Sequence, residues 1–329
     1  MDNQLFVKLH ADGIISDSSL DKINSSKNIT PLSVFWELKT ILYLGVMLFT
    51  SGAGILIYKN IDTIGHSFIV LFIAIVSFSS FTYCFKKSKG FSFQKINSPN
   101  IYFDYVLLLA CLTFTSLIAY LQFEYQFFGL KYGLALFIPM VILFVAAYYF
   151  DNLAILSLAI TNLGAWAGIA VTPLQILHSN NFNKDTIIFT GLALGLFLLI
   201  LGFISNKKNL KAHFEFTYSN FGAHLLFISC LVAMVIFAQY ILLWMLALLF
   251  ISFLFYKKAV VQKSFYFLLI MTVYFYIGFT NLIFQLLFYR SNYNNDLLSL
   301  SFLYFILTAF GLIIFLSKTN KKLKQHDSI

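Results

Sequence analysis

The fold is decided by residues 35–65, which read FWELKTILYLGVMLFTSGAGILIYKNIDTIG. The stretch opens with an aromatic and charged collar, continues for about twenty residues without a charge and closes on the polar turn Lys59-Asn60-Ile61-Asp62. A helix rises about 1.5 Å per residue, so an apolar run of this length matches a hydrocarbon core roughly 30 Å thick. The stretch therefore predicts a first transmembrane helix.

Composition extends this prediction to the whole chain. Of its 329 residues, 60% are hydrophobic and 11% are charged, whereas about a quarter of the residues of a soluble domain are charged. This balance excludes a water-soluble protein and indicates a polytopic membrane protein in contact with the lipid bilayer. The net charge of +9 does not indicate nucleic acid, because only one of the 22 basic residues is arginine and most lysines stand at the ends of apolar runs.

Ten apolar runs of transmembrane length divide the chain. They lie near 38–58, 66–85, 103–122, 132–150, 153–172, 186–205, 220–238, 240–256, 264–288 and 297–317. The seams at 151–152 and 238–240 are short, but a single helix over 220–256 would be about 55 Å long and would exceed the bilayer. The pattern predicts an all-α, polytopic integral membrane helix bundle of about ten transmembrane helices over 35–318, with a cytoplasmic basic tail at 319–329.

The distribution of lysines predicts the orientation. With the N-terminus inside, all but four of the basic residues fall in cytoplasmic segments, and the exceptions are Lys59, Lys131, Lys184 and Arg290. Positively charged residues concentrate in the cytoplasmic loops of membrane proteins. We therefore expect both the N-terminus and the C-terminus to be cytoplasmic.

Residues 1–34 predict a small cytoplasmic helical hairpin, here called the cap. Leu5 and Leu9 stand one helical turn apart, and a second helix after Ser16 would bury Leu20. So short a segment cannot enclose a core of its own. The cap is therefore expected to lean on cytoplasmic loops, on the membrane surface or on another protein.

The predicted spans contain few polar groups. No Asp, Glu, Lys or Arg falls in the middle of a span, which argues against a proton-coupled carrier with a mid-membrane carboxylate. On the ninth span, Tyr274, Asn281 and Gln285 share one helix face, and Asn162 of the fifth span is a candidate partner. An amide in hydrocarbon needs a hydrogen-bond partner. This polar stripe either joins helices or lines a path for a substrate.

Small residues recur at helical spacing in two further spans. Gly164-x-x-x-Gly168 and Gly191-x-x-x-Gly195 have the spacing that lets membrane helices approach closely. Glycine is common in membrane helices, so the two motifs predict packing within one chain. They do not indicate a dimer.

Titratable groups stand at the predicted membrane edges. Asp62 and His66 are four residues apart where the first hairpin turns outside, and we consider them a candidate outer-edge pair. A metal or acid–base site needs several such groups to converge. The chain has no H-E-x-x-H, G-x-S-x-G or Walker motif, and its three cysteines lack C-x-x-C spacing. No catalytic, cofactor-binding or metal-ligating residue is predicted.

Four short motifs near the N-terminus are distinctive. They are Leu5-x-x-x-Leu9-x-x-x-Gly13-Ile14-Ile15-Ser16, Leu44-Gly45-Val46-Met47-Leu48, Gly52-x-Gly54-Ile55-Leu56-Ile57 and Asn60-Ile61-Asp62-x-Ile64-Gly65. Together they resemble the opening of a bacterial family of predicted membrane proteins catalogued as domain of unknown function 2157, in which a tryptophan usually stands where this chain has Ile61. The resemblance implies a multi-pass protein of the bacterial cytoplasmic (inner) membrane. It brings no established activity and no catalytic residues.

Three functional hypotheses follow from the sequence. The first is a non-enzymatic membrane component that binds other proteins through the cap, favoured by the uncharged interior. The second is a transporter or lipid-handling protein with a polar path lined by the ninth span. The third is a membrane-embedded enzyme that uses edge residues such as Asp62 and His66.

Overall fold

The protein is described by a computed structural model over residues 10, 12, 15–16, 35–59, 65–100, 102–171, 184–288 and 295–325. These parts contain ten long helices, each long and apolar enough to cross a membrane, and no strand. The helices are α1 (Phe35–Lys59), α2 (His66–Lys87), α3 (Phe103–Tyr125), α4 (Tyr132–Phe150), α5 (Leu153–Val171), α6 (Lys184–Lys207), α7 (Phe214–Ile236), α8 (Ile241–Val261), α9 (Phe265–Phe288) and α10 (Asn295–Gln325). The predicted all-α membrane bundle with ten spans is confirmed. The proposed cap lies outside the described residues apart from four isolated positions.

Both short seams separate two helices. α4 ends at Phe150, and Asp151 adopts the left-handed conformation (φ 59°) that commonly terminates a helix. Asn152 then caps α5, because its Oδ1 accepts hydrogen bonds from the backbone N–H groups of Ala154 (2.9 Å) and Ile155 (3.1 Å). At the second seam, a single 3₁₀ turn over Ala238–Tyr240 joins α7 to α8.

The chain divides into two compact units, residues 1–59 and residues 60–329. The first unit contains α1, in which Thr50 donates to the carbonyl of Val46 (3.0 Å) and Ser51 to that of Met47 (2.8 Å). These hydroxyls are thus satisfied within their own helix, as hydrocarbon surroundings require.

α7 is the central helix of the second unit. It packs against α5, α6, α8 and α9, and its buried side chains include those of Phe214, Tyr218, Phe227, Cys230 and Met234. α2, α4, α6, α8 and α10 all finish at one end of this unit, which we call the lysine-rich end. The segments 88–102, 151–152 and 208–213 lie at the same end.

The contact between α6 and α7 depends on glycine. A Cβ atom on Gly195 would lie 2.8 Å from Cγ of Leu226, and one on Gly222 would lie 3.0 Å from the carbonyl oxygen of Gly195. Gly191 faces Ser229 at a similarly short distance. The predicted packing role of the Gly191–Gly195 pair is therefore observed, whereas a Cβ atom on Gly168 would meet nothing within 4 Å.

Candidate functional site

A cavity of about 670 Å³ lies between α8, α9 and α10 and is not enclosed. Each helix contributes one stripe of side chains at helical spacing. The lining comprises Leu249, Ser252, Phe253, Tyr256, Met271, Thr272, Phe275, Tyr276, Phe279, Leu307, Thr308, Gly311, Leu312 and Phe315. A Cβ atom on Gly311 would meet nothing within 4 Å, so the missing side chain adds to the open space.

The cavity lining offers an apolar surface. Aromatic and aliphatic side chains dominate it, and none of its residues is Asp, Glu, His, Lys or Arg. The hydroxyls of Ser252, Thr272 and Thr308 donate to the carbonyl four residues earlier, at 2.7–2.8 Å. The hydroxyl of Tyr276 lies 3.0 Å from that of Thr308. Because these polar atoms are already paired, the cavity has little to offer a polar solute and suits an apolar chain.

The polar stripe predicted on α9 does not face the cavity. It lies on the face of α9 that packs against α7. Nε2 of Gln285 donates to Oδ1 of Asn281 (3.3 Å) and to the carbonyl of Met234 (3.4 Å). The hydroxyl of Tyr274 lies 2.7 Å from Nδ1 of His224. Among the described residues, Asn162 is not a hydrogen-bond partner of this stripe. The structure thus places the three α9 residues against α7. Asn162 of α5, the proposed partner, does not join them.

His224 belongs to a polar chain between α7 and α9 that the sequence did not predict. Its Nε2 lies 3.4 Å from the hydroxyl of Tyr266, which donates to Oδ1 of Asn220 at 2.6 Å. Phe227 stacks on Tyr274 with ring centroids 5.0 Å apart. Asn220 and His224 are one helical turn apart, and that spacing was the only signal in the sequence.

A buried ion pair closes the lysine-rich end. Asp151 and Lys211 are both fully buried, with Oδ2 and Nζ 3.3 Å apart, and Nε2 of His213 donates to Oδ1 of Asp151 at 2.7 Å. The backbone N–H of Ile96 also donates to Asp151, and Lys211 donates to the carbonyl of Gln94 at 3.2 Å. We call these five residues the Asp151 cluster. It joins three connecting segments, and all its charges are compensated, so its chemistry is structural.

Two further polar groups at this end are also fully engaged. Asp104 accepts hydrogen bonds from Ser98 (2.7 Å) and Asn152 (3.0 Å). Glu215 of α7 pairs with Lys258 of α8 at 2.6 Å. These contacts hold helix ends together.

The predicted outer-edge pair is only half described. Nδ1 of His66 lies 2.7 Å from the hydroxyl of Tyr120 and 3.4 Å from Oε1 of Glu124, so α2 and α3 are joined at this end. Asp62 lies outside the described residues, so its relation to His66 stays a prediction. Across the parts of the chain that the structure describes, no group of three His, Cys, Asp or Glu side chains could hold a metal ion.

Part of the chain is similar to a known family of proteins. No curated protein and no solved structure matches the chain. Residues 7–156 match the family described as "Predicted membrane protein (DUF2157)", whereas the cavity between α8 and α10 lies beyond that range. The match confirms the resemblance drawn from the N-terminal motifs: residues 7–156 are similar to this family of predicted membrane proteins of unknown function.

Proposed function

We propose that the protein is a non-enzymatic membrane component that binds lipid, with the cavity between α8, α9 and α10 holding one apolar chain. The observation that carries this proposal is the lining of the cavity, which is apolar and in which the hydroxyls of Ser252, Thr272, Tyr276 and Thr308 are already paired. The volume of about 670 Å³ falls within the roughly 300–1,000 Å³ typical of ligand sites. The cavity is not enclosed and is lined only by residues of three predicted spans, so a lipid chain of the bilayer could enter it.

Lipid binding here would depend on fit rather than on the hydrophobic effect. A chain that leaves the bilayer for the cavity exchanges one apolar environment for another, so burial alone gains little free energy. The gain comes from dispersion contacts with fixed walls such as Phe253, Phe275 and Phe279. The lipid-handling hypothesis is therefore supported by the aromatic face of α9, which lines the cavity, and not by its polar stripe.

The polar stripe favours lipid binding over solute transport. A path for a polar solute needs side chains that can replace water, whereas Gln285 bonds Asn281 and the carbonyl of Met234. Neither amide lines the cavity. We interpret the stripe as a contact that fixes α9 on α7.

Protein binding at the lysine-rich end is a second candidate function. The loop after α2 exposes the rings of Phe91 (49%) and Phe93 (63%) beside Lys89 and Lys95, and the Asp151 cluster fixes this loop at Gln94 and Ile96. A fixed surface of exposed aromatic rings suits a protein partner. The positive-inside rule predicts that the lysine-rich end faces the cytoplasm of a bacterium.

Orientation can be tested by cysteine labelling in a variant that lacks Cys84, Cys111 and Cys230. We expect Lys131→Cys to react with a membrane-impermeant maleimide in intact cells and Gln262→Cys to react only after permeabilisation. The reverse pattern would contradict the proposed orientation.

Lipid binding can be tested by photocrosslinking. A phospholipid with a diazirine in its acyl chain is incorporated into membranes that contain the full chain, and crosslinked peptides are mapped by mass spectrometry. Gly311→Phe places a ring inside the cavity and should remove most crosslinks to α8–α10. Gly168→Phe is the matched control, because a Cβ atom there also meets nothing within 4 Å. Crosslinks that are unchanged by Gly311→Phe would overturn the proposal.

A further inference from the structure

Two lysines continue the stripes of cavity-lining residues at the lysine-rich end. Lys257 follows Tyr256 on α8, and its Nζ lies 4.6 Å from the ring centroid of Phe253. On α10, Lys318 stands three residues after Phe315, and therefore on the same helix face one turn further. Both lysine side chains are exposed. Two of the three helices that line the apolar cavity, α8 and α10, thus carry a positive charge next to it.

These two charges are not compensated within the described residues. Neither Lys257 nor Lys318 forms an ion pair there, whereas the neighbouring Lys258 is paired with Glu215 at 2.6 Å. Lys321, which also stands near this end of α10, adds another exposed positive charge. An anionic group at the mouth of the cavity would meet a positive field, and no carboxylate of the described residues pairs with either lysine.

The cavity is too short to span the membrane. Its lining runs from Leu249 to Tyr256 on α8 and from Leu307 to Phe315 on α10, which corresponds to about 10–12 Å along the helix axes. The hydrocarbon core is roughly 30 Å thick, so the cavity lies within the leaflet next to the lysine-rich end. A lipid of that leaflet would place its headgroup beside the two lysines.

We infer that the cavity holds an anionic phospholipid of this leaflet, with its acyl chain between α8, α9 and α10 and its phosphate-bearing headgroup at Lys257 and Lys318. This inference rests on the proposed lipid binding and adds the class of headgroup. A lysine ammonium binds phosphate as a point charge. At an anionic membrane surface each lysine contributes on the order of five-fold to affinity, so together they would favour an anionic lipid by roughly 25-fold.

The test compares two lipids and two double variants. The full chain in nanodiscs is photocrosslinked with diazirine-bearing phosphatidylglycerol, which is anionic, or phosphatidylcholine, which is zwitterionic. We expect phosphatidylglycerol to crosslink preferentially to α8–α10, and Lys257→Gln/Lys318→Gln to abolish that preference while phosphatidylcholine still crosslinks. Lys86→Gln/Lys87→Gln is the matched control, because it removes two exposed lysines at the same end, on α2. It should leave the preference unchanged.

The outcomes separate this inference from the proposed function. If Gly311→Phe removes the crosslinks but Lys257→Gln/Lys318→Gln keeps the preference, the headgroup assignment fails and lipid binding stands. An equal loss of preference in the two double variants would also overturn the assignment, because it would reflect surface charge alone. If Gly311→Phe has no effect, or α8–α10 crosslinks to a second copy of the chain instead, both proposals fail.

Discussion

The α6–α7 interface and the α9–α10 interface are built from similarly apolar sequence but pack in opposite ways. At the first, Gly195 faces Gly222 closely enough that neither position has room for a Cβ atom without displacement. At the second, Gly311 has nothing within 4 Å of a Cβ position, because α9 presents Phe275 and Phe279 to the cavity instead of a small residue. A glycine in a membrane helix therefore does not by itself close an interface: Gly195 allows a close approach, whereas Gly311 leaves open space.

The largest effect is expected from breaking the Asp151 cluster, which holds the connection between α6 and α7. Asp151→Ala leaves the ammonium of Lys211 buried without its partner, and removal of one member of a buried ion pair typically costs about 3–5 kcal/mol. We expect a large fall in the midpoint of thermal unfolding, measured by fluorescence-detected size exclusion in detergent.

The double variant Asp151→Ala/Lys211→Met is the control for this prediction. It removes both buried charges, and replacement of a whole buried pair by apolar groups is often far less harmful than loss of one partner. It should recover part of the stability that Asp151→Ala loses. A double variant less stable than the single variant would show that Lys211 stabilises the protein through contacts other than the ion pair, such as its hydrogen bond to the carbonyl of Gln94.

The second largest effect is expected at the closed interface. Gly195→Leu would force α6 away from Leu226 and Gly222, and overpacking of a close-packed interior typically costs about 1–3 kcal/mol. The same assay should show a clear loss of thermal stability. Gly168→Leu on α5 is the matched control and should have little effect, because a Cβ atom there meets nothing.

The contrast between the two interfaces also marks what could be predicted from the sequence. Ten spans followed from the lengths of apolar runs and the positions of lysines, because the bilayer imposes both. The ends of the helices were harder to predict. α7 begins at Phe214, before the expected start near 220, because Glu215 pairs with Lys258 of α8. Hydropathy alone could not place a carboxylate inside that helix.

The cavity and the Asp151 cluster could not be predicted from the sequence, for different reasons. α8 and α9 are apolar on nearly every side, so no amphipathic pattern distinguishes the face toward the cavity from the face toward lipid. Asp151 and Lys211 are sixty residues apart, and only tertiary packing brings them together. The polar stripe on α9 could be predicted because amides are rare in hydrocarbon. Its partners on α7 could not be predicted.

A smaller effect is expected where α9 meets α7. Gln285→Leu removes the hydrogen bonds to Asn281 and to the carbonyl of Met234, and such contacts in membrane bundles are worth about 0.6–2 kcal/mol. The thermal midpoint should fall slightly, and lipid crosslinking to α8–α10 should persist because the stripe lies away from the cavity. Loss of crosslinking with an unchanged thermal midpoint would indicate instead that the stripe contacts the bound chain.

The smallest effect on stability is expected at Gly311, where the open interface can be filled. Gly311→Leu adds a side chain to empty space, and replacement of glycine by a good helix former gains up to about 1 kcal/mol in helices studied in water. The thermal midpoint should therefore stay the same or rise, while lipid crosslinking to α8–α10 falls. Opposite signs for Gly195→Leu and Gly311→Leu would establish that the two interfaces differ as described. A large destabilisation by Gly311→Leu would mean that α9 and α10 close on each other in the membrane, and it would remove the basis for a bound lipid.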